Sequence, residues 1–209
     1  MINIGIVDDH TMIREGLKMI IEQEPDLRVV AEAGDAAGAL AVLEKNNVDV
    51  VILDISLPDR NGIELLKDLR RSYKARVLVL SMHPENRYGV RAIQAGALGY
   101  MCKDTAGRYL AGAIRTVHSG KMYIPPSLGE VLANNAVMGV GPRPHEDLSD
   151  RELEIMVLIA SGKTRDEISR KLNLSPATIS TYRKRVLDKL GLATSVEIYR
   201  YAYENDLID

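Results

Sequence analysis

Asp8, Asp9, Asp54, Ser81 and Lys103 each follow or close a short apolar run, and together they have the make-up of a site for a hard divalent cation and a phosphoryl group. The runs are Ile4-Gly5-Ile6-Val7, Val50-Val51-Ile52-Leu53, Val77-Leu78-Val79-Leu80 and Leu98-Gly99-Tyr100-Met101-Cys102. Such runs are read as strands buried on both faces of a parallel sheet. Parallel neighbours bring their C-terminal residues to one rim, which is where open α/β sheets bind ligands. Magnesium takes oxygen ligands and keeps several waters, so one or two carboxylates suffice for it. Asp9 and Asp54 are the expected direct ligands of Mg²⁺, with Asp8 holding a metal-bound water. Asp54 is also the expected nucleophile toward phosphorus, because a cation beside it neutralises the incoming oxygens. Lys103 offers a compact positive charge for the same oxygens, and the Ser81 hydroxyl a hydrogen bond. An aspartate at a strand end can instead cap the next helix, and Asp8-Asp9 could do that alone. The shared site is favoured because five such residues stand at matching strand ends. His10 and His83 border the same rim and are assigned no catalytic role.

The elements that must position these residues alternate in type. Strands are expected over 3–7, 28–32, 49–53, 76–80 and 98–102, and helices over 12–23, 36–46, 61–71, 85–95 and 105–118. Five β-α repeats of this size predict an α/β doubly wound, five-stranded parallel sheet of flavodoxin-like type. Pro25-Asp26, Asp59-Arg60-Asn61-Gly62 and Ala95-Gly96 supply turn chemistry at the boundaries. A linker is expected over 121–147, with a short helix over 127–135 followed by a flexible connector at 138–147 that carries Gly139, Gly141, Pro142 and Pro144. The expected division is therefore 1–120, linker 121–147 and 148–209.

Beyond the linker every signal is helical, so the second domain is expected to be small and all-α. Ser149 with Glu152, and Thr164 with Glu167, have the spacing of capping boxes. Ser175-Pro176 provides an N-cap with proline at the first helical position, opening a helix that runs to Leu190 before Gly191. A last helix is expected over 195–205. Four short helices with a tight turn between the second and third describe a helix-turn-helix unit. On the third helix Ile179, Val186 and Leu190 share one face with Tyr182 beside them, and Ser180, Thr181, Lys184 and Asp188 share the opposite one. A polar helix with several cations suits the major groove of double-stranded DNA. Ser180, Thr181 and Lys184 are the candidates for base edges, with Thr178 also on the DNA-facing set, and Arg183, Arg185 and Lys189 the candidates for phosphates.

Composition bounds the partners. The chain has 209 residues and a formal net charge of −2, with 10 Lys and Arg against 10 Asp and Glu from Leu148 onward, so the basic cluster at 183–189 is local. The single cysteine, Cys102, excludes an intrachain disulfide and a multi-cysteine zinc site, and is expected as a small residue in a buried strand. No apolar run approaches the roughly 18–20 residues of a membrane span, and acid stands early in the chain where a signal peptide needs an apolar core. A cytoplasmic protein with no membrane partner is expected.

The motifs Val7-Asp8-Asp9-His10, Leu53-Asp54-Ile55-Ser56-Leu57-Pro58-Asp59-Arg60-Asn61-Gly62, Leu80-Ser81-Met82-His83 and Ala95-Gly96-Ala97-Leu98-Gly99-Tyr100-Met101-Cys102-Lys103 resemble the receiver domain of two-component response regulators. The resemblance implies that Asp54 takes a phosphoryl group from a sensor histidine kinase. It further implies that Asp8 and Asp9 hold the metal with the main-chain oxygen of Ser56, and that Ser81 and Tyr100 form a switch pair. Where many receivers have proline after the lysine this chain has Asp104, and the resemblance implies a cis peptide there. Over 148–205, Leu148-Ser149-Asp150-Arg151-Glu152-Leu153-Glu154, Glu167-Ile168-Ser169-Arg170-Lys171-Leu172 and Lys189-Leu190-Gly191 resemble the LuxR-type helix-turn-helix. The combination is similar to the NarL/FixJ class of transcription factors. That resemblance implies a last helix used for dimerisation, through Val196, Tyr199 and Ala202, and a phosphorylated homodimer reading an inverted-repeat promoter site. The expected function is a DNA-binding regulator, not an enzyme, in which phosphorylation of Asp54 controls dimerisation and exposure of the recognition helix. One alternative is a DNA-binding regulator that never uses phosphate. Another, an aspartyl-phosphate phosphatase, lacks a leaving-group acid, since the residue two after Asp54 is Ser56.

Overall fold

The computed structural model describes residues 1–73, 75–82, 85–138 and 144–208, without the side chains of 86, 87 and 135–138. His83 and the 139–143 part of the expected connector lie outside the described residues. The chain forms two compact units, Met1–Leu132 and Ala133–Asp209.

The first unit carries β1 (Ile2–Val7), α1 (Thr11–Glu22), β2 (Leu27–Ala33), α2 (Ala36–Leu43), β3 (Val50–Leu53), α3 (Gly62–Asp68), β4 (Arg76–Ser81), α4 (Glu85–Gln94), β5 (Gly99–Cys102) and α5 (Ala106–His118). A π-helical turn, Leu69–Tyr73, extends α3, and a 3-10 turn, Lys103–Thr105, leads into α5. All five strands are parallel, in the order β2-β1-β3-β4-β5. The chain therefore reverses its winding between β1 and β3, and the carboxyl ends of those two strands flank the switch point at which such sheets take ligands. Asp8 and Asp54 are the residues that follow them.

The alternation of side chains along each strand covers both faces. Ile4 and Ile6 of β1, Ile52 of β3, Leu78 and Leu80 of β4 and Met101 of β5 join Leu17 and Ile21 of α1 and Leu110, Ile114 and Val117 of α5 in one apolar cluster. The intervening Val51, Leu53, Val77, Val79 and Tyr100 are equally buried on the opposite face. A sheet buried twice over explains why these strands read as continuous apolar runs rather than alternating ones.

Helix α6 (Pro126–Met138) begins in the first unit and is longer than the 127–135 expected. The second unit then carries α7 (Asp150–Ala160), α8 (Arg165–Leu172), α9 (Pro176–Leu190) and α10 (Ser195–Glu204), preceded by a 3-10 turn at Pro144–Asp147. Each expected cap is formed. Ser149 and Thr164 make complete capping boxes with Glu152 and Glu167, Ser175 accepts from the Thr178 amide, and Gly191 closes α9 in the left-handed region. Asn173 also adopts that conformation at φ 49°, stopping α8 so that α9 can turn away. Ile155, Leu158, Ile168, Leu172 and Ile179 make the core that α7, α8 and α9 share, with Tyr182 packed against it.

Candidate functional site

The rim of the sheet gathers the expected residues around Lys103. Its ammonium lies 2.6 Å from Asp8 Oδ2 and 2.6 Å from Asp54 Oδ2, and all three side chains are almost fully buried. The pairing of β1 with β3 sets this up: Val7 stands opposite Leu53, and the Asp54 amide donates to the Val7 carbonyl at 2.8 Å, so the two aspartates that follow emerge side by side. Asp54 Oδ1 accepts from the Ser56 amide at 3.2 Å. Asp8 Oδ1 accepts from the His10 amide at 2.9 Å, and His10, the residue that caps α1 without a side-chain bond, places Nδ1 2.6 Å from Asp9 Oδ1. Asp8 and Asp9 are thus turned to the rim rather than spent on capping α1.

Gly62 is what lets the Asp54 loop close. Its amide donates to the Ile55 carbonyl at 2.8 Å, and a Cβ built there would lie 2.7 Å from Ile55 Cα and closer still to the Asp54 carbonyl oxygen. Both obstacles are backbone, which cannot step aside. Gly62→Ala is therefore expected to destabilise the first unit by about 2–4 kcal/mol and to weaken Mg²⁺ binding as the Asp54 main chain is displaced. Urea unfolding and a Mg²⁺ titration measure the two effects, and wild-type values in both would show that the close approach does not constrain the loop.

Electrostatics make the rim avid for positive charge. Burial pushes the Asp54 carboxyl above its ordinary range, outweighing the pull of Lys103, and Asp8 adds to the upward shift. For Lys103 burial acts downward, but the two carboxylates outweigh it and hold the ammonium above its ordinary range. Two buried carboxylates share one cation here, so the site is short of positive charge and suits a dication. Ligand atoms of Asp8, Asp9, His10 and Asp54 all lie within 4.8 Å of one another, which is a donor set rich in hard oxygens and fit for Mg²⁺.

Ser81, which ends β4, and Tyr100, within the neighbouring β5, are both fully buried, and their side chains are hydrogen-bonded to each other. Burial pushes the Tyr100 phenol upward, with the Ser81 bond acting against it. Three local expectations are corrected. The described peptides are all trans, including the one between Lys103 and Asp104, which is the isomer a non-proline residue favours. Cys102 is half-buried, because β5 ends there and the chain turns out toward Asp104. Helix α2 ends at Leu43 rather than residue 46. One residue with a structural role went unread: Asp59 accepts from the Ala36 and Ala37 amides at 3.0 and 3.1 Å, binding the start of α2 to the loop after Asp54.

In the second unit α9 presents Ser180, Thr181, Lys184 and Arg185 to solvent, with Thr178 and Arg183 less exposed. The hydroxyls of Ser180 and Thr181 bond back to the Pro176 and Ala177 carbonyls. Arg183 donates to the Ser195 hydroxyl at 3.0 Å, and Arg185 lies over the Tyr182 ring at 5.7 Å. The ammonium of Lys189, expected to meet phosphates, lies 2.7 Å from the buried Glu152 carboxylate and 3.2 Å from the Asp147 carbonyl. Ile159, Ile168 and Ile179 floor a cleft rimmed by Lys163, Arg165 and Arg183, which brings two cations of the α8 start, unmarked in the sequence reading, toward Ser180. On α10 Val196 and Tyr199 are exposed, whereas Ala202, expected with them in a dimer contact, is fully buried in the fold; the exposed Tyr203 stacks on Tyr199 with ring centroids 6.4 Å apart.

Residues 4–115 match the family model of the response regulator receiver domain, and residues 146–202 that of bacterial regulatory proteins of the luxR family. The chain belongs to the response-regulator family. It is 37% identical over 209 residues to the response regulator UvrY of Escherichia coli (strain K12), covering 99% of this chain and 96% of that protein. It is 33% identical to the transcriptional regulatory protein LiaR of Bacillus subtilis (strain 168), covering 100% of both. Among solved structures, RcsB of Salmonella enterica serovar Typhimurium bound to promoter rprA in the presence of phosphomimetic BeF3- aligns with a TM-score of 0.66 at 27% identity, over 96% of this chain and 98% of that one. The response regulator described here thus joins a receiver to a LuxR-type helix-turn-helix, and among its described residues no helix is long and apolar enough to cross a membrane.

Proposed function

We propose that this response regulator is a cytoplasmic transcription factor, not an enzyme, whose affinity for promoter DNA is set by a phosphoryl group on Asp54. The observation that carries this reading is the convergence of Asp8, Asp54 and Lys103 on the rim at the β1/β3 switch point. An Asp54 carboxylate oxygen attacks the phosphorus of a phosphohistidine on a sensor kinase, and the nitrogen–phosphorus bond breaks as the new oxygen–phosphorus bond forms. Lys103 exchanges its bond with Asp54 Oδ2 for one to a phosphoryl oxygen, while Asp8 keeps hold of the ammonium. Asp8, Asp9, Asp54 and the main-chain oxygen of Ser56 would hold Mg²⁺, which supplies charge neutralisation for the phosphoryl oxygens. Ser81 donates to one of those oxygens, and its bond to Tyr100 makes the pair the reporter of the pocket.

The functional division we adopt is receiver 1–120, linker 121–147 and DNA-binding domain 148–209. Phosphorylation controls dimerisation and the availability of α9. Ser180, Thr181 and Lys184 face base edges, with Thr178, Arg183 and Arg185 on the phosphates; Lys189 serves to tie α9 to α7. Val196, Tyr199 and Tyr203 form the apolar face of α10 through which two copies pair to read an inverted repeat. Lys184→Ala is expected to weaken binding to DNA and to lower the slope of log affinity against log salt by about one if Lys184 meets a phosphate. An unchanged slope with relaxed sequence preference places it on a base edge instead.

The deciding experiment selects genomic DNA fragments with the purified protein and Mg²⁺, with and without beryllium fluoride as phosphoryl mimic, using Asp54→Ala as control. A shared palindromic site enriched only with the mimic and intact Asp54 is the expected result. Equal enrichment under all conditions discards the phosphate gate, and no enrichment discards the DNA reading.

A further inference from the structure

Between α5 and α6 the chain returns to the open edge of the sheet. Tyr123 forms a parallel bridge with Gly99: its amide donates to the Leu98 carbonyl at 2.8 Å, and its carbonyl accepts from the Tyr100 amide at 3.3 Å. Five residues on, Leu128 is fully buried against α4, where a Cβ added to Gly89 would lie 2.7 Å from Leu128 Cδ1 and 2.9 Å from Cδ2. A Cβ added to Gly99 would likewise lie 3.0 Å from the Tyr123 carbonyl oxygen. Two glycines, one on β5 and one on α4, therefore each leave the space of a side chain empty, and the segment from Tyr123 to Leu128 fills both. Glycine inside a helix costs stability relative to alanine, so the absent side chain of Gly89 needs a packing reason, and Leu128 is that reason.

The residue to which this segment is bonded is the buried tyrosine of the pocket. The Tyr100 hydroxyl is hydrogen-bonded to Ser81 on one side, its amide donates to the Tyr123 carbonyl on the other, and Ser81 closes the strand beside the one that Asp54 follows. We propose that the stretch from Tyr123 to Leu128 is a strap, anchored by its backbone on β5 and by Leu128 in the Gly89 notch of α4, that carries the state of the Asp54 pocket into α6. The path uses one side-chain bond, one backbone bond and one knob in a notch, each of which is either made or broken, which is what a two-state coupling element needs. Its value for DNA binding rests on the function proposed above; the existence of the coupling does not.

Amide hydrogen exchange of the full chain, read at Tyr100 and Tyr123 with Mg²⁺ in the presence and absence of beryllium fluoride, tests the strap without DNA. At least a tenfold difference in exchange between the two conditions is expected in the wild type, and Leu128→Ala is expected to exchange fast at Tyr123 in both. Equal exchange at Tyr100 and Tyr123 in the wild type, while amides around Asp54 respond to the mimic, overturns the proposal. Where DNA affinity rises with the mimic, Leu128→Ala is expected to reduce that rise at least fivefold, and a full rise in this variant also overturns it. Gly89→Ala, which fills the notch and keeps Leu128, must act in the same direction and covers the case in which Leu128→Ala does not fold. A wild type whose DNA affinity ignores the mimic contradicts the phosphate gate, and the exchange experiment then still decides the strap.

Discussion

An Asp54→Asn variant will take up no phosphoryl group from phosphoramidate, while the wild type gains one per chain, read by intact mass. Asparagine at this position keeps the shape of the side chain and an oxygen toward Lys103, so the loss isolates the nucleophile from the packing. The same variant will be more thermally stable than the wild type at neutral pH. Burial drives the Asp54 carboxyl upward from its ordinary range, so the folded state holds that proton more tightly than the unfolded chain does. The sign follows from linkage: a carboxyl raised in the folded state contributes stability that is fully present below its unfolded value and is lost as pH rises through the folded one. At neutral pH the ionised Asp54 is therefore a cost, and asparagine removes it, for a gain on the order of 1 kcal/mol or a few degrees in Tm. The gain shrinks as pH falls into the carboxylate range. Phosphoryl uptake by the variant would move the acceptor to another carboxylate of the rim, and a lower Tm at neutral pH would mean that Lys103 more than repays the burial of Asp54.

How far such a site can be read from sequence depends on whether its determinants are local. Asp8, Asp54, Ser81 and Lys103 were legible because a buried parallel strand leaves a continuous apolar run, and the first polar residue after it must stand at the rim. The caps of α7, α8 and α9 were legible for a similar reason, since Ser149 with Glu152, Thr164 with Glu167 and Ser175 with Pro176 complete their bonds within one turn. What went unread is settled by partners far away in the chain. Asp59 binds the amides of Ala36 and Ala37, and nothing in either segment announces the other. Lys189 is paired with Glu152 on another helix, and nothing in the basic run around it announces that partner. Ala202 and Tyr203 are neighbours on α10, and only the packing of α10 on α7 decides which of the two is buried. The Tyr123 bridge to Gly99 is a single pair without the alternation of a strand, so no periodicity marks it.

Lys103 carries the other large effect, and it falls on stability before it falls on chemistry. Its ammonium lies between Asp8 Oδ2 and Asp54 Oδ2, 2.6 Å from each, in a site where both carboxylates are buried. Lys103→Met keeps most of the stem's volume and removes the charge, leaving two carboxylates facing each other out of water. Breaking a buried ion pair from one side in this way costs about 3–5 kcal/mol, and that loss is expected at pH 7 without divalent cations, measured by urea unfolding. Two conditions must then restore the variant. Without the ammonium, which pulls the Asp54 carboxyl down, that carboxyl is held further above its ordinary range, so the folded variant binds more protons than its unfolded chain. Its stability consequently falls as pH rises through the carboxylate range, and the gap to wild type narrows as pH is lowered from neutral into that range. Millimolar Mg²⁺, which binds the paired carboxylates of the folded state and finds no such pair in the unfolded one, must raise the variant's stability more than the wild type's, because in the wild type it competes with Lys103 for the same oxygens. A deficit independent of both pH and Mg²⁺ would reduce Lys103 to a packing residue, and with it would go the physical basis for reading this rim as a site built to exchange one positive charge for a phosphoryl group and its metal.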